Sequence, residues 1–195
     1  MRRRLVRHPY LWGVALALSA ALFVVVIVVA IAGNGGEAGD DGGRPPYPYP
    51  AQRFADQGQD HLAPGETFDG YNSDPPTSGP HAPRAAPWGV SDEPLPKEVP
   101  VHNMEHGGVI VWYNCDGGPE PLDEAACRQL IDDLAGLVEE AVARGKEVLM
   151  TPYGEMDQRI ALTAWQHLDA FDELDGARVR AFLESFERRF NPEGF

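Results

Sequence analysis

Residues 11–32 form an unbroken apolar segment, rich in Leu, Val, Ile and Ala, without a single charged side chain. A segment of about 20 apolar residues is long enough to cross a bilayer as a helix. Four arginines precede the segment and acidic residues follow it, so the N-terminus is expected in the cytoplasm. The sequence therefore predicts a basic cytoplasmic tail over residues 1–10, a transmembrane helix over residues 11–32, and a single-pass plasma-membrane protein whose C-terminal domain lies outside.

A cleaved signal peptide is the alternative interpretation of the same segment. The residues Ala30-Ile-Ala32 would serve as a small-residue cleavage site near Ala32 and would release a secreted protein. The apolar run exceeds the usual signal-peptide core of about 7–15 residues, which favours the uncleaved anchor. Both interpretations place the rest of the chain outside the cytoplasm.

Glycine and proline number 21 and 18, and they are concentrated before residue 100. Residues 33–50 are rich first in Gly and Asp and then in Pro and Tyr, which predicts a flexible linker. The formal net charge is −14 although the tail carries four arginines, so nucleic acid is not expected as a partner. The expected partners are the membrane, through the N-terminal helix, and a protein that the sequence does not identify.

Residues 51–195 are predicted to form one extracytoplasmic α+β domain with a Pro/Gly-rich N-terminal loop region. The pattern is regular after residue 107, with strands over residues 109–113, 147–151 and 159–165 and helices capped by Asp123 and Asp175. This order, strand-helix-strand-strand-helix, predicts a small mixed sheet with a parallel pair joined by a right-handed crossover. The following strand is expected to pair antiparallel through its short turn.

The same order of elements occurs in the C-terminal part of thioredoxin-like folds, although the chain has no Cys-x-x-Cys motif. Gly145 is expected to end the first helix. The apolar face of the last helix is expected to comprise Val179, Phe182, Leu183, Phe186 and Phe190.

The chain has two cysteines, Cys115 and Cys127. In an exported protein such a pair is most simply a disulfide, which here would tie the end of a strand to the first turn of the next helix. Two unrelated thiols are the alternative.

Four of the six histidines fall in the loop-rich half or just after it, and they are candidate metal ligands. His102 and His106 lie four residues apart, so one helical turn would place them on the same face. Proline-rich sequence around His81 limits the entropy lost in holding a ligand in place. The sequence predicts a copper or zinc site with His61, His81, His102 and His106 as ligands and with Met104 and Glu105 as additional candidates.

Other interpretations of these residues stay open. The histidines could instead hydrogen-bond the proline-rich loops, in a tethered structural or interaction module without metal. Glu105 could act as the general base of a metal-dependent hydrolase, although the order His-Asn-Met-Glu-His differs from His-Glu-x-x-His. Thr77 or Ser78 could act as a nucleophile, but hydrogen bonding within a turn is the simpler role.

Several motifs resemble a bacterial family of proteins of unknown function, number 3105. The likeness covers roughly residues 55–190. It implies a domain boundary and a membrane-anchored context, and it supplies no activity. The matching residues are Tyr71-Asn-Ser, Pro75-Pro-Thr-Ser-Gly-Pro-His81, Ala86-Pro-Trp-Gly, His102-Asn-Met-Glu-His-Gly-Gly108, Pro152-Tyr, Met156-Asp and Ala161-Leu-Thr-Ala-Trp165.

Overall fold

The computed structural model of the chain describes residues 51–194. The predicted tail, transmembrane helix and linker lie outside these residues. Within residues 51–194, no helix is long and apolar enough to span a bilayer. The described elements are β1 (Gln52–Arg53), β2 (Gly89–Val90), α1 (Glu98–Glu105), β3 (Val109–Tyr113), α2 (Glu124–Ala143), β4 (Val148–Pro152), β5 (Ile160–Ala164), β6 (His167–Phe171) and α3 (Gly176–Phe186).

The six strands form one mixed sheet in the order β1-β6-β5-β3-β4-β2. The predicted parallel pair is confirmed, with Val111 of β3 opposite Met150 of β4. β5 is antiparallel, but it pairs with β3 and not with the strand that precedes it. The connection between β4 and β5 passes over the end of β3, where Asn114 donates its side-chain amide to the Met156 carbonyl at 2.8 Å. The prediction that β5 pairs through its short turn was wrong for this reason.

The strands β6, β5, β3 and β4 are neighbours in this order, with β5 antiparallel to β3. β6 was not predicted from the sequence. It follows β5 after only two residues, Trp165 and Gln166, and Gln166 adopts a positive φ of 64°. Neither residue is a typical hairpin-turn residue, so the turn has no sequence signal.

Alternate residues of each central strand face two different apolar layers. Val109 and Val111 of β3 pack with α2 and α3 on one face of the sheet. Ile110 and Trp112 pack on the opposite face, where α1 and the N-terminal loop region lie. Since both faces are covered, β3 is buried along its whole length, as its continuous β-branched and aromatic sequence predicts.

The two longer helices begin at the predicted caps. The Asp123 carboxylate accepts the backbone N–H of Ala126 at 2.9 Å, and the Asp175 carboxylate accepts that of Ala177 at 2.9 Å. Each cap satisfies a donor that the first turn of a helix leaves without a partner. The last helix ends at Phe186, so Phe190 lies beyond it and stacks on His167, with ring centroids 4.3 Å apart.

Cys115 and Cys127 are joined by a disulfide, and their Cα atoms lie 5.5 Å apart. The bond links the residue that follows Asn114, just after β3, to the first turn of α2. Cys115 packs against the apolar layer on the helical face of the sheet. The predicted pairing is therefore seen in the structure, on the opposite face from α1.

Candidate metal centre

A short parallel bridge between two loop segments brings His61 and His81 together. The backbone N–H of Leu62 donates to the His81 carbonyl at 2.8 Å, and the N–H of His81 donates to the Asp60 carbonyl at 3.0 Å. The ring centroids of His61 and His81 are consequently only 4.9 Å apart. Two residues that are 20 positions apart in the sequence are thus fixed side by side by backbone hydrogen bonds.

The proline-rich loop that carries His81 is held by its own polar side chains. The Tyr71 hydroxyl donates to the Pro80 carbonyl at 2.5 Å. The Ser78 hydroxyl accepts the backbone N–H of Gln57 at 3.2 Å, and the Thr77 hydroxyl lies 3.1 Å from that of Ser73. Thr77 and Ser78 therefore occupy the turn-stabilising role, and the hypothesis that either is a nucleophile gains no support.

Helix α1 supplies the remaining side chains of the site. His102, Glu105 and His106 are spaced by three and four residues, which places them on one face of the helix. Asn103 anchors α1 to the neighbouring loop, since its side-chain amide both donates to and accepts from the backbone of Ala86 at 2.9 Å. The loop therefore fixes the rotation of the helix about its axis.

The candidate ligand atoms of His61, His81, His102 and Glu105 all lie within 4.8 Å of one another. The Glu105 carboxylate contacts two of the histidines, with Oε2 3.0 Å from His81 Nε2 and 3.5 Å from His61 Nε2. The His102 ring is 5.1 Å from the rings of both His61 and His81, measured between centroids. We call His61, His81, His102 and Glu105 together the three-histidine group.

Backbone carbonyls determine which ring nitrogens of this group carry protons. The Nδ1 atom of His81 lies 2.8 Å from the Gly79 carbonyl, and that of His102 lies 2.8 Å from the Ala82 carbonyl. A carbonyl oxygen only accepts hydrogen bonds, so each Nδ1 carries the ring proton. In a neutral imidazole the Nε2 atom then presents a lone pair, and in His81 that lone pair faces the carboxylate oxygen of Glu105.

The group lies mostly out of contact with solvent, with one accessible side. The side chains of His81 and Glu105 are 0% and 4% exposed, whereas that of His61 is 48% exposed. Burial is the main cause that lowers the pKa of His102, and the neighbouring His81 and His106 act in the same direction. Its imidazole therefore stays neutral and available as a ligand at pH values where an exposed histidine begins to take up a proton.

His106 lies next to the group rather than within it. Its Nε2 is 2.9 Å from the Nε2 of His102, while its Nδ1 contacts the Glu193 carboxylate at 2.7 Å. The four residues whose candidate ligand atoms lie together are thus three of the four predicted ligands and Glu105, which was predicted as an additional candidate.

Met104 was predicted as an additional ligand, whereas Glu193 was not predicted to belong to the site. Met104 is fully buried in the apolar layer with Ile110 and Trp112, on the side of α1 that packs against the sheet. Its thioether was a candidate ligand, but the structure places it in the core. Glu193 was not predicted, because a single glutamate near the C-terminus carries no motif that would connect it with His106.

The sequence profile of the family described as "Protein of unknown function (DUF3105)" matches residues 61–194. The chain belongs to this family. All the residues of the three-histidine group, together with His106 and Glu193, fall within the matched range. No curated protein and no solved structure gives a significant match to the chain. The family supplies no activity, so the chemistry has to be argued from the site.

Proposed function

We propose that the chain is a membrane-anchored, extracytoplasmic protein that binds one copper or zinc ion through His61, His81, His102 and Glu105. The observation that carries the proposal is the convergence of lone pairs in a buried place. The Nε2 atom of His81 lies 3.0 Å from the Oε2 atom of Glu105, although the Nδ1 proton leaves that nitrogen an acceptor, and the candidate ligand atoms of His61 and His102 are within 4.8 Å of both. A buried acceptor without a donor costs about 1–3 kcal/mol, so this arrangement calls for a cation or an additional proton.

A metal ion suits these donors, and the ring of His102 does not favour a proton in its place. Burial lowers the pKa of His102, which disfavours protonation of that ring. Metal-binding histidines characteristically donate their second ring nitrogen to a carbonyl or a carboxylate. His81 and His102 do so towards Gly79 and Ala82. Three imidazoles and one carboxylate are a common donor set for divalent transition metals.

The donor set also bears on the kind of copper or zinc ion. Soft thioether sulfur favours Cu(I), whereas imidazole nitrogen suits Cu(II) and Zn(II). Since Met104 and Met156 are buried in the apolar layer beneath α1, sulfur contributes nothing to this argument. We therefore propose a divalent ion. In this arrangement Glu105 is a ligand, which removes it from the role of general base in a hydrolase.

Metal content per chain tests the proposal directly. The full chain, purified in detergent, is loaded with Zn²⁺ or Cu²⁺, freed of excess ion and submitted to elemental analysis. We expect about one ion per chain, as in a mononuclear site, and loss of that ion in His81→Ala and His102→Ala. His8→Ala, which removes an imidazole from the N-terminal tail, is the matched control and should retain the ion. Undiminished metal content in both site variants would contradict the proposal.

The extracytoplasmic location belongs to the same proposal and has a separate test. It is supported by the uncharged segment over residues 11–32 with arginines before it, and by the disulfide between Cys115 and Cys127. Protease added to intact spheroplasts should digest residues 51–195 and leave a cytoplasmic control protein whole. Protection of the domain until the membrane is broken would contradict the predicted orientation.

A further inference from the structure

A cavity of about 340 Å³ lies at the N-terminal end of α1 and is open to solvent. Cavities of about 300–1,000 Å³ are typical of sites for small organic ligands. None of the four residues of the three-histidine group lines this cavity. We call it the Glu98 cleft, and its lining residues include Asp69, Leu95, Lys97, Glu98, Tyr153 and Glu155.

Glu98 is a buried acidic residue in the lining of this cleft. The residue is only 3% exposed, and its Oε1 atom accepts the backbone N–H of Phe68 at 3.0 Å. Within residues 51–194 the carboxylate has no other hydrogen bond and no ion pair with a basic side chain. Burial removes water from a charge, and this cost is offset only where a cation or further donors replace the water. A ligand that brings a cation to Glu98 would therefore be stabilised in the cleft.

The lysine that lines the cleft is already paired with a different carboxylate. The Lys97 ammonium lies 3.3 Å from Oε2 of Glu155, and its side chain is 24% exposed. Asp69 brings a further, exposed carboxylate to the lining. The lining thus has three carboxylates, those of Asp69, Glu98 and Glu155, and one ammonium group. This excess of negative charge favours a cation over an anion as the ligand.

The rest of the lining favours an organic cation over a metal ion. Pro94, Leu95 and Pro96 provide apolar surface, and Tyr153 adds an aromatic side chain. In the described part of the chain the carboxylates of the cleft do not converge into a group that could hold a metal ion, whereas the three-histidine group does. An alkylammonium ion matches both kinds of surface, because its methylene groups can pack on apolar side chains and its charged end carries three N–H donors.

We propose that the Glu98 cleft binds a primary alkylamine, whose ammonium group donates to the Glu98 carboxylate and whose methylene chain packs against Pro94, Leu95 and Pro96. The inference goes beyond the proposed metal site and does not depend on it. A charge-assisted hydrogen bond from the ammonium group replaces the hydration that burial removes from Glu98. The amine is either a free small molecule or the side chain of a lysine in a peptide, since both present the same aminobutyl end.

Titration of the full, metal-free chain in detergent, followed by NMR of the isotope-labelled protein, tests the inference. The Phe68 amide is the reporter, because its N–H donates to Glu98. The probes are n-butylamine, its neutral analogue 1-butanol, and Nα-acetyllysine methylamide. We expect n-butylamine to shift the Phe68 resonance and to bind at least about 10-fold more tightly than 1-butanol. Tighter binding of the lysine derivative than of n-butylamine would identify a peptide as the source of the amine, and weaker binding would identify a free amine.

Three variants distinguish a direct contact with the amine from a general disturbance of α1. Glu98→Gln can still accept the Phe68 N–H, and it should bind n-butylamine at least about 10-fold more weakly. Lys97→Met keeps the aliphatic stem and removes the competing ammonium, so it should bind n-butylamine about two- to fivefold more tightly. Glu173→Gln removes an exposed carboxylate outside the cleft and should bind like the parent.

The opposite effects of the first two variants are the decisive result, because a disturbed helix would weaken binding in both. Weaker binding in Lys97→Met, or parent-like binding in Glu98→Gln, would overturn the inference. Equal affinities for n-butylamine and 1-butanol would overturn it as well. Since all titrations use metal-free protein, these outcomes are independent of whether the three-histidine group binds an ion.

Discussion

Glu98 and Glu105 are two buried carboxylates on the same helix, each only 3% exposed, and they have different neighbours. Glu105 faces the nitrogens of His61 and His81. Glu98 accepts the backbone N–H of Phe68 at 3.0 Å, in the loop beside the group. The pair offers a matched comparison, because glutamine preserves the size of either side chain and removes only its charge and one acceptor oxygen.

We predict that Glu105→Gln weakens zinc binding by at least about 10-fold, since a neutral amide oxygen is a poorer ligand than a carboxylate. Glu98→Gln should bind zinc like the parent, because its amide oxygen can still accept the Phe68 N–H. Competition with a chelator of known affinity measures both constants. Equal losses in the two variants would show that the effect comes from α1 as a whole and not from ligation.

His167 provides a prediction about pH away from the metal group. It is buried against Phe186 and Phe190, and burial is the main cause that lowers its pKa. The folded protein therefore keeps this imidazole neutral at pH values where the unfolded chain protonates it. The neutral His167 ring makes its full contribution to the free energy of unfolding above about pH 6.5, the pKa of histidine in the unfolded chain. This contribution is lost as the pH falls through the lower pKa of His167 in the folded protein.

We expect the free energy of unfolding of the metal-free protein to decrease as the pH is lowered below about 6.5. In His167→Phe the decrease should be smaller, because phenylalanine retains the ring packing and cannot take up a proton. Urea denaturation over a pH series measures both slopes, and the contribution of His102 is common to the two proteins. Identical slopes would contradict the assignment to His167.

At the level of elements, periodicity predicted β3, β4, β5 and both longer helices, and it failed at α1 and at the other three strands. Seven of its eight residues are buried, all except Val99, so the helix has no polar face to produce an amphipathic pattern. It also contains Pro100, which a helix tolerates in its first turn, as here, but which does not favour a helix in the sequence. For the site, clustering of motifs identified the histidines and Glu105 as candidates, but the sequence carried no signal for the loop contacts that bring His61 and His81 beside α1.

Gly108 and Gly136 give opposite predictions for the same substitution. A Cβ atom on Gly108 would collide with the Trp88 ring and lie 2.9 Å from the Asn103 carbonyl, at the junction of α1 and β3. Gly136 is an exposed position within α2 where a Cβ atom would meet nothing within 4 Å. The first glycine is required by close packing, whereas the second only weakens its helix.

We therefore expect Gly108→Ala to lower the free energy of unfolding by about 1–3 kcal/mol, as overpacking does. Gly136→Ala should raise it by up to about 1 kcal/mol, the difference in helix propensity between the two residues. Gly108→Ala should also weaken metal binding, since it displaces α1. Urea denaturation gives the stabilities, and stabilisation by both substitutions would refute the packing argument.

Considered as a whole, the domain uses the two faces of its sheet differently. One face carries α2, α3 and the disulfide, and it has the large continuous apolar layer. The other face carries α1 and the loops that bear His61 and His81. The proposed metal ligands thus come from three separate segments of the chain, on the face with less regular structure. A bound ion would cross-link these segments to each other.

This arrangement predicts that metal stabilises the whole domain and not only the site. An ion that binds the folded chain alone, at a free concentration 100 times its dissociation constant, adds about 2.7 kcal/mol to the free energy of unfolding. The parent chain should show this gain in urea denaturation with zinc, and His81→Ala should show almost none. Hydrogen exchange should slow in residues 57–82 on addition of zinc, while α2 changes little, because its packing does not involve the ligands. Slowing confined to α2, or a gain in stability that persists in His81→Ala, would place the ion elsewhere in the protein.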